Sequence, residues 1–179
     1  ERNDSMIRLA TAADLPAVAA IYDAILDREA KAGVSYTNWQ KGKYPTLDTA
    51  KGILEAGTLY VGADEDGTVW GSMNLNGCQL PEYAKIDWSI PAADSQVAVI
   101  HTLTVHPDCM GRGLARQMIA FAEDTARAQG KTVMRFDTWE HNEPANHLYP
   151  AIGYRFVGST DFFFMGYTHS VLNLYEKAL

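Results

Sequence analysis

The chain has few cysteines, few basic residues and no long apolar run. Its 179 residues include 2 cysteines, Cys78 and Cys109, too few for the disulfide framework of a small secreted domain and typical of a reducing compartment. No apolar run approaches the roughly 18 residues of a membrane span. The polar start, residues 1–5, lacks the apolar segment of a signal peptide. We therefore expect a cytoplasmic protein without a membrane partner.

Basic residues are outnumbered by acidic ones. The 15 Lys and Arg against 22 Asp and Glu give a net charge of −7, whereas a nucleic-acid binder normally carries a basic face. The balance indicates no nucleic-acid partner and favours a neutral or cationic one. A chain of this length can bury a core without a metal or disulfide. We predict one domain over residues 6–179, with residues 1–5 as a short extension or a remnant of cloning.

Hydrophobic periodicity predicts a mixed α/β protein with the order β-α-α-β-β-β-α-β-α-β-β. The apolar spacing and the Gly and Pro positions predict helices to about residue 32 and over about 46–55, 113–129 and 144–152. Strands are predicted over 7–9, 58–63, 68–76, 97–105, 133–139, 154–160 and 168–176. The β-branched run at 97–105 is typical of a central strand buried on both faces.

The segment from Val99 to Ala115 combines that strand, a loop with two glycines and the start of a helix. The first N–H groups of a helix lack intrahelical partners, and together with the helix dipole they attract an anion. Gly111 and Gly113 allow a phosphate to approach the backbone, and Arg112 adds a positive charge. The P-loop lysine is missing, and Arg at 116 leaves a GxGxxG pattern incomplete. The segment predicts a pyrophosphate held by the backbone.

The same segment resembles the acetyl-CoA loop of the GCN5-related N-acetyltransferase (GNAT) family. That loop, [Q/R]-x-x-G-x-[G/A], follows a strand that ends in apolar-x-Val-x-Pro. Leu103–Pro107 matches the strand end, and Gly113–Ala115 matches G-x-[G/A]. Met110 stands where Gln or Arg is usual, which removes one polar contact but leaves the backbone amides.

A second motif strengthens the resemblance. Asn142–Tyr149 is similar to the family's N-x-x-A-x-x-L-Y, and Ile152–Tyr154 matches its apolar-Gly-aromatic step. With the element order, the two motifs cover about Ile7 to Glu176. The resemblance implies a single GNAT domain with a central mixed, mostly antiparallel, twisted sheet, helices on both faces and splayed central strands.

The resemblance also implies acetyl-CoA as co-substrate, with pantetheine between the splayed strands. The cofactor-binding residues that it implies are Leu103, Thr104, Val105, Met110, Gly111, Arg112, Gly113, Leu114, Ala115, Asn142 and Tyr149. Asn142 would hydrogen-bond the cofactor arm. Tyr149 would be the general acid, since an ordinary tyrosine pKa of about 10 keeps the hydroxyl protonated at neutral pH. The alternative is a core tyrosine with a satisfied hydroxyl.

The general base stays open at this point. His101 stands where family members often place a Glu or a residue that orders a water, and a neutral imidazole accepts a proton near physiological pH. The alternatives are a packed core histidine, with Asp137, His141 or a chain of waters serving as base. The group His141, Glu143 and His147 fits no zinc-ligand spacing, so no metal site is predicted.

The acceptor site is predicted from aromatic and acidic residues in loops where the family usually builds it. The predicted substrate-binding residues are Trp39, Tyr44, Trp88 and Asp137. Glu82 and Asp87 could attract an ammonium. The alternative is that the aromatic residues pack the loops onto the sheet or, for the run Phe162–Met165, form a dimer contact. A monomer or a homodimer is therefore expected.

These observations predict an N-acetyltransferase that acts by direct attack in a ternary complex. The acetyl group would pass from acetyl-CoA to a primary amine of a small molecule or to a peptide N-terminus. A non-catalytic acyl-CoA sensor on the same fold is the main alternative, and a nucleotide-binding regulatory module is a third.

Overall fold

The computed structural model describes residues 6–164 and 168–179. The predicted extension, residues 1–5, and Met165 of the predicted apolar run lie outside the described residues. The helices are α1 (Leu15–Ala32), α2 (Leu47–Glu55), α3 (Leu114–Ala128) and α4 (Glu143–Ala151). The strands are β1 (Met6–Leu9), β2 (Leu59–Ala63), β3 (Val69–Asn76), β4 (Val97–Val105), β5 (Val133–Trp139), β6 (Arg155–Phe164) and β7 (Thr168–Ala178). The predicted element order is confirmed.

The strands form a mixed sheet with the order β1-β2-β3-β4-β5-β7-β6. The pairs β1–β2, β2–β3, β5–β7 and β6–β7 are antiparallel. Strands β4 and β5 are parallel, with Val97–Val99 opposite Val133–Arg135. This pairing confirms the predicted mixed and mostly antiparallel sheet.

Two compact units are distinguished within the chain. The first contains residues up to Val34 together with Trp39–Leu75 and His101–Ala122. Its core residues are Val18, Tyr22, Ala50, Ile53, Leu59 and Val61. The second contains Ser35–Asn38, Asn76–Ile100 and the chain from Glu123 onward. Its core residues are Tyr83, Val97, Val99, Val133, Leu172 and Leu174. The single domain over residues 6–179 stays a prediction.

A short polar turn connects β1 to α1 in the first unit. The Thr11 N–H donates to the Asp14 carboxylate at 2.8 Å, as in a capping box. The Arg8 guanidinium donates to both oxygens of Asp14, at 2.8 and 3.0 Å, and lowers the pKa of that carboxyl. Helix α1 ends at Gly33, whose φ of 70° lies in the left-handed region.

Two buried charges attach the loop between β3 and β4 to the second unit. The Glu176 carboxylate is fully buried and accepts hydrogen bonds from the Ser89 hydroxyl and from the Ser89 and Ile90 N–H groups. The Arg135 guanidinium donates to Gln79 Oε1 and to the Ile90 carbonyl, both at 3.0 Å. Since buried charges are costly without such partners, these bonds hold the loop in one position.

The two closing strands are longer than the sequence predicts. Strand β6 extends to Phe164 because Phe162 and Phe164 pair with Ser170 and Thr168 of β7. An aromatic run is compatible with a strand, and the pairing partner decides where the strand stops.

We expect opposite effects on stability from alanine at two glycines of the first unit. A Cβ on Gly71 would lie 2.6 Å from the Thr104 carbonyl oxygen, so Gly71→Ala should cost about 1–3 kcal/mol. A Cβ on Gly52 in α2 would meet no atom within 4 Å, so Gly52→Ala should add about 0.5–1 kcal/mol. Urea denaturation measures both changes. Equal effects would contradict the close approach of β3 to β4.

Candidate active site

The loop between β4 and α3 begins with a tight turn and ends with two left-handed glycines. Pro107–Cys109 forms a 3-10 turn in which the Asp108 N–H donates to His106 Nδ1 at 3.1 Å. Gly111 and Gly113 have φ values of 82° and 72°, which residues with a side chain rarely adopt. A Cβ added to either glycine would have no atom within 4 Å. These glycines therefore set the backbone path rather than relieve crowding.

The same loop presents a row of open backbone donors. The N–H groups of residues 111–116 donate to no other residue within the described part of the chain, and the first helical bond of this region runs from the Gln117 N–H to the Gly113 carbonyl at 3.2 Å. Leu114 is buried and Met110 is exposed. Arg112, predicted to add a free positive charge, pairs with Asp64 at 3.0 Å. The attraction for an anion at this loop thus rests on the amides and the helix dipole.

The end of β4 contains an unusual backbone conformation. Thr102 has a φ of 48°, in the left-handed region, where a β-branched residue costs about 1–2 kcal/mol. Its hydroxyl lies 2.5 Å from the Tyr44 hydroxyl. Two residues further, the buried Thr104 hydroxyl lies 2.7 Å from the Ser72 hydroxyl. Leu103 and Val105 are half-buried.

Tyr149 lies on α4 within an aromatic cluster of the second unit. Its ring centroid is 4.5 Å from that of Phe136 and 5.3 Å from that of Tyr175, and its side chain is 8% exposed. The hydroxyl makes no hydrogen bond to any residue that the structure describes. Burial raises the pKa of Tyr149, and the charges of Asp137 and Tyr175 raise it further. The hydroxyl is therefore protonated at physiological pH and available to a ligand.

Asp137 lies on β5 and is held by a tyrosine from a distant loop. The buried Tyr83 hydroxyl donates to Asp137 Oδ2 at 2.6 Å, whereas Oδ1 accepts no hydrogen bond within the described ranges. Burial raises the pKa of Asp137 to about 6, with the Tyr83 hydrogen bond opposing and the Glu82 charge adding to the rise. A carboxyl with this pKa exchanges a proton near neutral pH.

Glu82 adds a second carboxylate beside this group. Its Oε2 atom is buried and has no hydrogen-bond partner within the described part of the chain. An unpaired buried carboxylate oxygen is unfavourable, and a cation or a donor from a ligand would relieve it. We call this group the acidic cluster. It has two acidic side chains and one free hydroxyl, and its members are Glu82, Tyr83, Asp137 and Tyr149.

Asn142, predicted to contact the cofactor, serves as the N-cap of α4. Its Oδ1 accepts the Ala145 N–H at 3.2 Å, and its side-chain NH2 donates to none of the described residues. Asn146 is a further site residue that was not among those predicted from the sequence. Its side chain donates to the carbonyls of Trp139 and Asn142 and accepts from the Tyr175 hydroxyl, which ties α4 to the end of β5 and to β7. The N-x-x-A-N spacing is the signal that could have identified it.

The remaining predicted residues are divided between the units. The first unit contains His101, half-buried on β4, and the pair Trp39 and Tyr44, whose rings meet edge to face at 6.0 Å. The second unit contains Trp88, whose Nε1 donates to the Tyr83 carbonyl at 2.9 Å and whose ring lies under the Arg135 guanidinium at 4.3 Å. Within the second unit, the structure brings Asp137 and Tyr149 into one electrostatic group.

Over residues 6–164 and 168–179, no three or more His, Cys, Asp or Glu side chains are grouped so as to hold a metal ion. None of the helices in those ranges has the length and apolar character needed to cross a membrane.

Curated relatives match parts of the chain. L-amino acid N-acyltransferase MnaT of Escherichia coli (strain K12) is 38% identical over 56 residues, which are 31% of this chain and 33% of that protein. Streptothricin acetyltransferase of Streptomyces lavendulae is 28% identical over 105 residues, 59% of this chain and 53% of the relative. The chain thus matches about a third and about half of these two proteins.

Solved structures match almost the whole chain. An acetyltransferase of the GNAT family from Streptococcus agalactiae 2603 has a TM-score of 0.80 at 21% identity, covering 98% of this chain and 95% of that one. The protein yncA from Salmonella typhimurium, solved with its cofactor acetyl-CoA, has a TM-score of 0.69 at 23% identity, covering 98% and 94%. At these identities the likeness establishes the fold.

The sequence pattern of the Acetyltransferase (GNAT) family matches residues 19–154. That range includes the β4–α3 loop, Asp137 and Tyr149. The match and the fold together show that this chain belongs to the GNAT acetyltransferase family.

Proposed function

We propose that this protein transfers an acetyl group from acetyl-CoA to a primary amine of a small molecule, by direct attack in a ternary complex. The observation that carries the proposal is the Tyr149 hydroxyl, which is buried, protonated and without a partner among the described residues. A hydroxyl of this kind in a merely structural position would normally be satisfied. Protonation of a departing thiolate is a role that requires it to be free.

The β4–α3 loop fits the pyrophosphate of acetyl-CoA. The open N–H groups of residues 111–116 are several hydrogen-bond donors that can bind the negatively charged oxygens of a pyrophosphate. Helix α3, with 15 residues, adds the positive end of its dipole. Within the first unit, Leu103–Val105 would hold the pantetheine arm. Within the second unit, the side-chain NH2 of Asn142 has no partner among the described residues and is open to a ligand. Acetyl-CoA supplies the acetyl group as a reactive thioester. The −7 charge of the chain does not oppose binding, because the amides act locally.

Asp137 and Tyr149 together account for the proton that the reaction moves. As the amine nitrogen bonds to the thioester carbonyl carbon, Asp137 Oδ1 accepts a proton from that nitrogen. As the carbon–sulfur bond breaks, Tyr149 donates its proton to the sulfur, which leaves as a thiol. The proton on Asp137 restores Tyr149 directly or through water. An acceptor that arrives as an ammonium first releases one proton to solvent. The resulting neutral amine then loses one proton to Asp137 and the sulfur gains one from Tyr149, so the cycle balances with one proton released.

The acidic cluster favours an acceptor that arrives as an ammonium. Glu82 and Asp137 would attract a positive charge and repel a carboxylate attached beside the amine. The cluster therefore supports an amine without an α-carboxylate, in contrast to the L-amino acids named for MnaT. A short peptide N-terminus, which is also cationic, belongs to the same chemical class.

A thiol-release assay with matched acceptors tests the proposal. We expect 1,4-diaminobutane to be acetylated with a kcat/KM about tenfold or more above that of ornithine, which differs by one carboxylate. Glu82→Gln should raise the KM for the diamine about fivefold with little change in kcat, as expected for loss of a partly exposed charge contact. Asp87→Asn, on an exposed side chain of the same loop, is the matched control and should change neither constant.

The outcomes separate the possible functions. If no amine in a broad panel raises thiol release above background while the protein still binds CoA, the enzyme proposal is wrong and an acyl-CoA sensor replaces it. If ornithine is preferred, transfer stands and the ammonium selection is wrong.

A further inference from the structure

Thr102 has a left-handed backbone conformation within β4, and its hydroxyl contacts a side chain from outside the sheet. Its φ of 48° interrupts the regular strand between His101 and Leu103. A left-handed residue within a strand turns the adjacent peptide groups out of the regular ladder, as in a β-bulge. A threonine adopts this conformation only where surrounding contacts enforce it.

The side chain that contacts Thr102 is that of Tyr44. Its hydroxyl lies 2.5 Å from the Thr102 hydroxyl, 58 positions away in sequence, and both side chains are half-buried. Tyr44 is itself fixed by a small hairpin, because its N–H donates to the Gln40 carbonyl at 2.9 Å and its carbonyl accepts the Gln40 N–H at 3.1 Å. Within that hairpin, the Lys41 ammonium pairs with Asp27 of α1 at 2.6 Å. The loop is thus attached to α1 and to β4.

We propose that Tyr44 is a positioning residue for acyl transfer: its hydroxyl keeps Thr102 left-handed and so sets the direction of the backbone groups on either side of it. This inference rests on the proposed function, in which Leu103–Val105 line the acyl arm. Tyr44 then acts on the rate through Thr102, whereas a residue that contacts the acceptor would act on its affinity. The position of the loop that carries Trp39 and Tyr44 therefore affects the backbone geometry of β4.

The coupling is first tested in the unliganded protein by urea denaturation. Tyr44→Phe and Thr102→Val each remove one hydroxyl, so each should lower stability, and the double variant should be no less stable than the worse single variant. Thr102→Gly removes the need for enforcement because glycine adopts positive φ without strain. In the Thr102→Gly background, Tyr44→Phe should therefore leave stability unchanged. Independent losses from the two sites would overturn the proposal.

The kinetic test separates positioning from acceptor contact. Tyr44→Phe should lower kcat about tenfold with the amine KM nearly unchanged, since small misplacements of reacting groups reduce rates strongly. Thr102→Val should reproduce that effect. The double variant Tyr44→Phe/Thr102→Gly should recover most of the lost kcat. Tyr60→Phe, on β2 with its ring against Phe121, is the matched control and should keep full activity.

Each contrary result has a distinct meaning. A raised amine KM with unchanged kcat in Tyr44→Phe would show that Tyr44 contacts the acceptor, and failure of glycine to restore kcat would show that Thr102 is not the target. Either overturns the positioning role while leaving the proposed function intact. A wild-type protein without transferase activity would instead overturn the proposed function, and the denaturation cycle would still report on the Tyr44–Thr102 coupling.

Discussion

Replacing Tyr149 with phenylalanine is expected to lower kcat by about 100-fold or more, the usual contribution of a general acid. The hydroxyl is protonated at all pH values near neutrality because burial and the Asp137 charge raise its pKa. Without it, the thiolate must leave unprotonated. Thiol release at saturating acetyl-CoA and amine measures the loss, and isothermal titration should show nearly unchanged CoA affinity.

The matched control for this variant is Tyr175→Phe. The Tyr175 ring packs against that of Tyr149, and its hydroxyl donates to Asn146 Oδ1 at 2.7 Å. Removing it should cost about 1 kcal/mol of stability while activity is retained. Tyr149→Phe should show the reverse pattern, because its hydroxyl has no partner in the described part of the chain. Unchanged kcat in Tyr149→Phe would refute the general acid.

Replacing Asp137 with asparagine is expected to lower kcat/KM about 100-fold at neutral pH and to remove the acid limb of its pH profile. In the wild type the limb should have its midpoint at about pH 6, because burial raises the pKa of Asp137 to about 6. Below that pH the carboxyl is protonated and cannot accept a proton from the amine, so activity falls as pH decreases. The pH dependence of kcat/KM from pH 5 to 8 measures the limb.

Tyr83→Phe should move the same limb without abolishing activity. The Tyr83 hydroxyl stabilises the charged form of Asp137 and so lowers its pKa. Removing the donor raises that pKa, so the limb should shift to higher pH.

The Asp137→Asn variant should fold normally, because the amide oxygen still accepts from Tyr83 and a buried charge is removed. A limb that persists in Asp137→Asn and disappears in His101→Gln would identify His101 as the base.

The conformation of the β4–α3 loop could be predicted from the sequence because its determinants are local. Gly111 and Gly113 have the left-handed conformations that make glycine necessary, and α3 begins directly after them. Tyr149 was identified from a motif within a single helix. Such features depend on residues within a few positions of each other, and backbone sterics act over that range.

The pKa of Asp137 could not be predicted from the sequence, because it depends on contacts between residues that are far apart in the chain. Tyr83 and Asp137 are 54 positions apart, and their hydrogen bond and burial determine a pKa that composition cannot indicate. From the sequence, His101 was the first candidate for the base because of its position in the family pattern and its reference pKa, with Asp137 and His141 as alternatives. The pairing of Arg112 with Asp64, 48 positions away, likewise depends on a contact that local sequence does not reveal.

By itself, the sequence determined the element order, the open amides of the β4–α3 loop and the position of Tyr149, because hydrophobic periodicity and glycine conformations are short-range properties. Only the tertiary structure decided that burial raises the pKa of Asp137 to about 6, that Tyr149 lacks a partner within the described residues, and that the hydroxyls of Tyr44 and Thr102 lie within hydrogen-bond distance. Desolvation and hydrogen bonding depend on which distant segments of the chain come into contact, and only the folded structure determines those contacts.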